Sequence, residues 1–170
     1  DYFLFFGSIE PKKNIGRIIE AFLASGVDSP LVIVGARAWK SKAELRLIES
    51  LPGGDRRIVQ IEYLPLPMLV SLIRSAKAVV FPSLYEGFGL PVLEAMMLGT
   101  PVLTANTSSL PEVAGDAALK VNPYSVSEIG AALRALDKNE DLRATLAQRG
   151  AVNDLIDRGH HHARNPDRWR

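Results

Sequence analysis

The stretch AVVFPSLYEGFGLPVLEAMMLGTPVLTA, residues 78–105, decides the fold class of this chain. It opens with the apolar run Ala78–Pro82, continues through a glycine-containing loop into the apolar segment Leu90–Leu98, and ends in a second apolar run, Pro101–Ala105. Neither short run alternates with polar residues, which is typical of strands that are covered on both faces. A buried strand, a helix and another buried strand form the repeating unit of a parallel α/β sheet.

The same alternation extends in both directions from this stretch. Further strands are predicted at Tyr2–Gly7, Leu31–Gly35, Arg57–Tyr63 and Ala118–Val121, and further helices at Asn14–Ala24, Lys42–Ser50, Pro67–Ser75, Leu110–Ala114, Ser125–Asp137 and Asn139–Arg149. Pro52-Gly53-Gly54 predicts a turn, and Ser125 with Glu128 resembles a capping box. We therefore predict an α/β fold with a doubly wound, mostly parallel, Rossmann-like sheet.

Length and composition fit one domain with a sizeable core. The chain has 170 residues, of which 47% are hydrophobic and 23% are charged. We assign residues 1–150 to this domain and expect residues 151–170, which contain His160–His162, to be a poorly ordered tail or an artificial extension. Because the chain begins at Asp1 directly in a strand-like run, we expect it to be part of a longer protein, with no visible signal peptide.

Several classes of chemistry lack the residues that they need. There is no cysteine, the three histidines are consecutive and near the end, and no Asp-x-Asp pair occurs. These absences argue against thiol chemistry, histidine bases and an essential metal ion in the domain. The net charge of +1 does not favour nucleic acid as a partner. Motifs for nicotinamide dinucleotides, P-loop nucleotides and phosphoacceptor aspartates are also missing.

The strongest candidate site is the loop that leads into the predicted helix at residue 90. Gly87 and Gly89 allow a ligand to approach the main chain closely, and the unpaired N–H groups of a helix start attract an anion such as phosphate. Glu94 lies in a segment that is apolar on nearly all sides, so we predict a buried carboxylate that ribose hydroxyls or a basic side chain would satisfy. Glu86 is expected at the mouth of this site. The alternative for the loop is a glycine turn without ligand. For Glu94 it is a structural salt bridge, and for Glu86 it is an exposed loop carboxylate.

The second candidate is the loop after the first strand, Gly7-Ser8-Ile9-Glu10-Pro11-Lys12-Lys13-Asn14. In a doubly wound sheet the first and fourth strands are neighbours, so a lysine of this loop is expected to face the same anion as Gly87–Gly89. Two solvated lysines at a helix start are the alternative, and the more common outcome for such a pair.

At this point the sequence resembles a known family. EGFGLPVLE, residues 86–94, is similar to the Glu-x7-Glu motif of the family-4 retaining glycosyltransferases of the GT-B architecture. The likeness covers about residues 2–150, with FFGSIEPKKN, LVIVG, SLYEGFGLPVLEAMMLGTPV and SSLPEVAGDAAL in the expected order. It implies a Rossmann-like, C-terminal, donor-binding half of such an enzyme, without its N-terminal half and acceptor site.

The resemblance also implies a role for each matching residue. Glu86 and Lys13 are the implied catalytic residues, Glu86 on donor-sugar hydroxyls and Lys13 on the departing diphosphate. Glu94 would hold the ribose. The implied donor-binding residues are Ser8, Lys13, Gly87, Phe88, Gly89, Leu90 and Glu94. Many relatives carry arginine where this chain has Ser8, which leaves more charge for Lys13 to neutralise. The nucleobase is placed loosely near Gly35–Arg37 and Tyr63–Leu66.

The implied reaction is transfer of a sugar from a nucleoside-diphosphate donor to an acceptor hydroxyl with retention, without cofactor or metal. Mannose from GDP-mannose is the first expectation, because GSIEPKKN resembles GTLEPRKN of a polysaccharide-building subgroup. The implied partners are the donor, a glycan or lipid-linked acceptor and the missing N-terminal domain, and the implied location is cytoplasmic, with membrane contact through the missing half. The isolated chain is expected to be inactive. A non-catalytic nucleotide-sugar-binding module and a purely structural domain stay open as alternatives.

Overall fold

The computed structural model describes residues 1–38, 41–50 and 54–151, and its centre is a sheet of six parallel strands. The strands are β1 Phe3–Phe6, β2 Leu31–Val34, β3 Ile58–Ile61, β4 Ala78–Phe81, β5 Val102–Ala105 and β6 Ala118–Val121. Their order across the sheet is β3-β2-β1-β4-β5-β6. The predicted Rossmann-like parallel sheet is therefore confirmed.

Helices alternate with the strands along the chain. They are α1 Ile15–Ser25, α2 Ser41–Ser50, α3 Leu66–Ser75, α4 Leu90–Met97, α5 Leu110–Ala114 and α6 Val126–Lys138, and residues 140–151 are also helical. The sequence predicted these elements with ends that differ by a residue or two. It did not predict the short 3-10 helix at Pro11–Lys13. A turn was predicted at Pro52-Gly53-Gly54, but Pro52 and Gly53 lie outside the described residues. The same is true of nearly all of the tail after residue 150.

Burial follows the position of each strand in the sheet. All four residues of β1, β2, β4 and β5 are buried, whereas the edge strands β3 and β6 are partly exposed. Phe5 and Phe81 stack across the β1–β4 pair with ring centroids 5.8 Å apart. The apolar runs that identified the strands are thus the interior of the protein, because helices cover both faces of the sheet.

The capping box predicted at α6 forms only in part. The Glu128 N–H donates to Ser125 Oγ (3.2 Å), as a capping box requires. The Glu128 carboxylate, however, accepts from the N–H of Asn122 (2.9 Å) and not from that of Ser125. This hydrogen bond connects the start of α6 to the residue that follows β6.

A partly buried ionic contact lies at the opposite end of the sheet, before the strands begin. Lys77 Nζ donates to Asp137 Oδ1 (2.9 Å), and Ser29 Oγ donates to the same oxygen (2.6 Å). Burial alone would raise the pKa of the Asp137 carboxyl, but the hydrogen bonds from Ser29 and Lys77 outweigh it and hold the pKa below its usual range. This contact connects the segments before β2 and β4 with the end of α6.

The direction of the chain connections reverses between β1 and β4, the position at which open α/β sheets are expected to form a ligand-binding crevice. Connections from β1 lead towards β2 and β3, whereas connections from β4 lead the other way towards β5 and β6. The loops after β1 and β4 therefore diverge at their carboxyl ends, which is where open α/β sheets bind ligands.

Candidate functional site

The loops after β1 and β4 meet through one ion pair. Lys13 Nζ lies 2.6 Å from Glu86 Oε1, and the two side chains are only 11% and 10% exposed. A lysine of the first loop therefore lies next to the glycine loop, as a shared anion would require, and the shared anion itself stays a prediction. The low exposure of both side chains also rejects the alternative of solvated charges for Lys13 and of an exposed carboxylate for Glu86. Lys12, by contrast, is exposed and makes a 3.5 Å contact with Glu10.

Local backbone conformation aims Lys13 inward. The chain turns through the 3-10 helix Pro11–Lys13 and then enters the left-handed region at Asn14 (φ 64°) before α1 begins. Asparagine tolerates this conformation better than most residues. The ammonium of Lys13 also lies 4.9 Å from the ring centroid of Phe81, within range of a cation–π interaction.

Asn14 fixes the position of this turn. It is 1% exposed, and its Nδ2 donates both to the carbonyl of Pro82 (2.9 Å) and to that of Pro123 (2.7 Å). The N–H of Leu84 donates to the carbonyl of Lys12 (2.8 Å). These contacts connect the segments after β1, β4 and β6, so the ion pair rests on a hydrogen-bonded base.

The start of α4 lies directly after the ion pair along the chain. Gly89 precedes the helix with φ 87°, and no side chain caps the helix. A Cβ at residue 89 would lie 2.7 Å from Leu110 Cδ2, so both backbone and space favour glycine there. Gly87 and Phe88 are exposed beside it, as is Leu90 at the first helical position. An uncapped helix start next to a lysine is suited to a phosphate group.

The prediction that Glu94 is buried is wrong. Glu94 is exposed, on the same side of α4 as Leu90 and Met97, which are 58% and 44% exposed. Only the side that carries Val92, Ala95 and Met96 packs against the sheet. The apolar composition of the helix suggested cover on all sides, but nothing in the described part of the chain covers this second side. The role of Glu94 on a ribose thus depends on the resemblance and no longer on burial.

The remaining predicted residues lie at the rim of the crevice. Ser8 is exposed, and its hydroxyl donates to Glu10 Oε1 (2.9 Å), so the structure does not join it to the ion pair. The ends of β1 and β2 approach very closely: a Cβ at Gly35 would lie 1.8 Å from the carbonyl oxygen of Gly7. Tyr63 is 79% exposed at the end of β3.

The family model described as glycosyl transferases group 1 matches residues 1–152 of this chain. The chain belongs to this family. It is 37% identical over 155 residues to the O-antigen chain mannosyltransferase B of Escherichia coli, a match that spans 88% of this chain and 40% of that relative. The chain therefore corresponds to about two fifths of that curated relative's length.

Solved structures of other proteins show the same fold. WaaG, a glycosyltransferase involved in lipopolysaccharide biosynthesis, superposes with a TM-score of 0.75 at 25% identity, over 98% of this chain and 44% of that one. Anabaena HepE in complex with UDP-glucose gives a TM-score of 0.80 at 18% identity, over 91% and 44%. The predicted family and GT-B-type architecture are confirmed.

Among the described residues, no three or more His, Cys, Asp or Glu side chains group in a way that could hold a metal ion. No helix in the same residues is both long enough and apolar enough to cross a bilayer.

Sequence reasoning missed the residues that support the ion pair. The sequence predicted only a strand residue at Phe81 and only the boundary between a candidate loop and a helix at Asn14, and it predicted no role for Ser108 or Ser109. The side chains of both serines contact the main chain of Glu86. Asparagine after a lysine pair, and paired serines before Leu110-Pro111, are the signals that could have indicated a turn in each loop.

Proposed function

We propose that this chain is the donor-binding half of a retaining glycosyltransferase that transfers a hexose from a nucleoside-diphosphate sugar to an acceptor hydroxyl. The observation that carries the proposal is the Lys13–Glu86 ion pair beside the uncapped start of α4. A cation and a helix start can bind the diphosphate, and a carboxylate next to them can accept hydrogen bonds from sugar hydroxyls.

Charge development in the reaction explains why these groups lie together. As the glycosidic bond to the diphosphate breaks, negative charge grows on the leaving oxygen and positive charge on the sugar ring. Lys13 and the N–H groups at the start of α4 stabilise the leaving group, an effect of roughly 3–4 kcal/mol for one such donor by analogy with oxyanion sites. Glu86 accepts hydrogen bonds from the sugar and orients it, so that the acceptor attacks from the side of the leaving group.

The ion pair has to rearrange when the donor binds. Without donor, the ammonium of Lys13 lies 2.6 Å from the Glu86 carboxylate, so an incoming diphosphate has to compete with Glu86 for it. Movement of Lys13 towards the diphosphate frees the carboxylate of Glu86 for the sugar. Donor binding would thus prepare Lys13 for the diphosphate and Glu86 for the sugar in a single step.

Mannose carried by GDP is the proposed donor. The 37% identity to an O-antigen chain mannosyltransferase and the resemblance of GSIEPKKN to the mannosyl subgroup support this choice. Glu94, exposed on α4, is the proposed ribose ligand, and the rim formed by Gly35–Arg37 and Tyr63–Leu66 is the proposed base site. UDP-glucose is the competing donor, because a fold neighbour was solved with it.

The acceptor and the setting of the reaction are further parts of the proposal. A glycan or lipid-linked acceptor would bind across the crevice, on the part of the enzyme that precedes this chain. We propose a cytoplasmic enzyme that contacts the inner face of the membrane through that part. Recovery of the full-length protein entirely in the soluble fraction, with full activity on a soluble glycan, would contradict the membrane contact.

A donor panel on the full-length protein tests the proposal. Thermal shift with GDP, UDP, ADP and their sugars identifies the base, and transfer of radiolabelled sugar identifies the reaction, with NMR of the product for the anomeric configuration. Activity is expected to survive EDTA. Binding of a nucleotide sugar without transfer to any acceptor would favour a non-catalytic module, and binding of none would favour a structural domain.

A further inference from the structure

Two serines of the loop after β5 hold the main chain of Glu86 on both sides. Ser108 Oγ donates to the Glu86 carbonyl at 2.5 Å and accepts from the Glu86 N–H at 3.1 Å. Ser109 Oγ donates to the same carbonyl at 3.0 Å. Both polar groups of the residue 86 main chain are therefore satisfied by hydroxyls that come from 22 and 23 residues further along the chain.

The backbone of Ser108 is unusual in a way that serves this contact. Its φ is 60°, in the left-handed region, which non-glycine residues seldom adopt. Such a conformation persists only where its surroundings determine it, and it tends to occur at functional sites. Here it places one hydroxyl within hydrogen-bond distance of both the N–H and the carbonyl of Glu86.

We propose that Ser108, supported by Ser109, is a positioning residue for Glu86 during sugar transfer; this inference rests on the proposed function. In the free chain the carboxylate of Glu86 is also held by Lys13. Once Lys13 turns to the diphosphate, that restraint is lost, and the direction of the Glu86 side chain depends on how firmly its main chain is held. The serines act on the sugar-binding step and not on the nucleotide.

Removal of the hydroxyl without disturbance of the turn is the direct test. Ser108→Gly accepts φ 60° without strain, whereas Ser108→Ala loses the hydroxyl and also disfavours the turn. In the full-length enzyme both variants should lower kcat/KM for transfer about 10- to 100-fold, as small misplacements of catalytic groups do. The Kd for GDP should stay within about twofold, because Lys13 and α4 are untouched. Ser127→Ala, an exposed serine on α6, is the control and should transfer at the parent rate.

A double-mutant cycle separates positioning from a general structural effect. In a Glu86→Gln background, the loss of the Ser108 hydroxyl should reduce transfer much less than in the parent, because the group that it positions has already been altered. An equal reduction in both backgrounds, or Ser108→Gly at the parent rate, would overturn the proposal.

Amide hydrogen exchange makes the test independent of the proposed activity. The Glu86 N–H donates to Ser108 Oγ, so its exchange should accelerate at least severalfold in Ser108→Gly and stay unchanged in Ser127→Ala. Unchanged exchange at Glu86 would overturn the role of Ser108. A parent enzyme that binds no nucleoside diphosphate would instead overturn the proposed function, whichever result the exchange gives.

Discussion

Replacement of Glu86 by glutamine should separate the two tasks of the site. The substitution removes the charge that competes with a diphosphate for Lys13 but keeps the size of the side chain. GDP lacks the hexose of the donor, so it loses no contact with residue 86. We therefore expect Glu86→Gln to bind GDP more tightly than the parent while transferring sugar far more slowly.

The geometry of the ion pair sets the size of the effect. At 2.6 Å and an effective dielectric constant of about 20, two unit charges attract by about 6 kcal/mol before desolvation is counted. Most of that attraction is offset because both side chains are withdrawn from water, which leaves a net charge-assisted hydrogen bond of about 1.5–3 kcal/mol. Glutamine still accepts a weaker bond, so about 1–2 kcal/mol is released, equivalent to about 5- to 30-fold in the Kd for GDP.

Calorimetric titration of the full-length protein with GDP measures this change. Asp141→Asn alters the net charge equally at an exposed position on the helical segment 140–151 and serves as the matched control. A Kd for GDP that is unchanged or higher in Glu86→Gln, with the melting temperature of the parent, would show that Lys13 does not bind the diphosphate. If the enzyme prefers a base other than guanine, the Kd for that nucleoside diphosphate should likewise be lower in Glu86→Gln than in the parent.

Three further predictions concern other parts of the chain. Glu94→Ala should raise the KM for the donor at least about tenfold without lowering the melting temperature, because the carboxylate is exposed; a normal KM would remove it from the donor site. Gly35→Ala should destabilise the fold by at least about 3 kcal/mol, or about 6 °C or more in thermal unfolding, because its Cβ would lie 1.8 Å from a carbonyl oxygen; Gly87→Ala, which meets nothing within 4 Å, is the control and should melt normally. The pKa of Asp137 is lowered by folding, so its ionised form stabilises the protein above the unfolded pKa of about 3.9, and that stability is lost as the pH falls through the lower folded value. Denaturant titrations between pH 6 and about pH 3 should therefore show a steeper loss for the parent than for Asp137→Asn, and identical slopes would contradict the assignment.

The sheet could be predicted from the sequence because its strands are short apolar runs without alternation. That pattern is typical of strands covered on both faces, and β1, β2, β4 and β5 show it. The edge strand β3 was predicted too long, since its residues are only partly buried and carry a weaker pattern. Ends of elements depend on individual hydrogen bonds, which composition does not encode.

The approach of the two candidate loops followed from topology, whereas the choice of Lys13 and Glu86 as catalytic residues came from the resemblance. Neighbouring parallel strands end at the same edge, so the loops after β1 and β4 had to meet, and Lys13 and Glu86 do. The failure at Glu94 has a different origin. The apolar composition of a helix indicates that several of its sides can be buried, but it does not tell whether residues of this chain bury them. The family assignment survives this failure because it rests on a match along residues 1–152.

The supporting contacts were beyond sequence reasoning for a physical reason. The hydrogen bonds of Ser108 to Glu86 need a left-handed backbone at one serine and an approach of segments 22 residues apart. Those of Asn14 span 68 and 109 residues. Neither the conformation nor the approach leaves a periodic trace in the sequence.

The buried amide of Asn14 has a consequence for engineering of donor choice. Because one side chain bridges carbonyls that follow β4 and β6, the three connecting segments share a common anchor. A chimera that exchanges only the segment after β1 with that of another transferase would leave two acceptors without a donor if the new segment lacks asparagine there. Productive grafts should therefore exchange Asn14 together with the stretches around Pro82 and Pro123 as a single cassette.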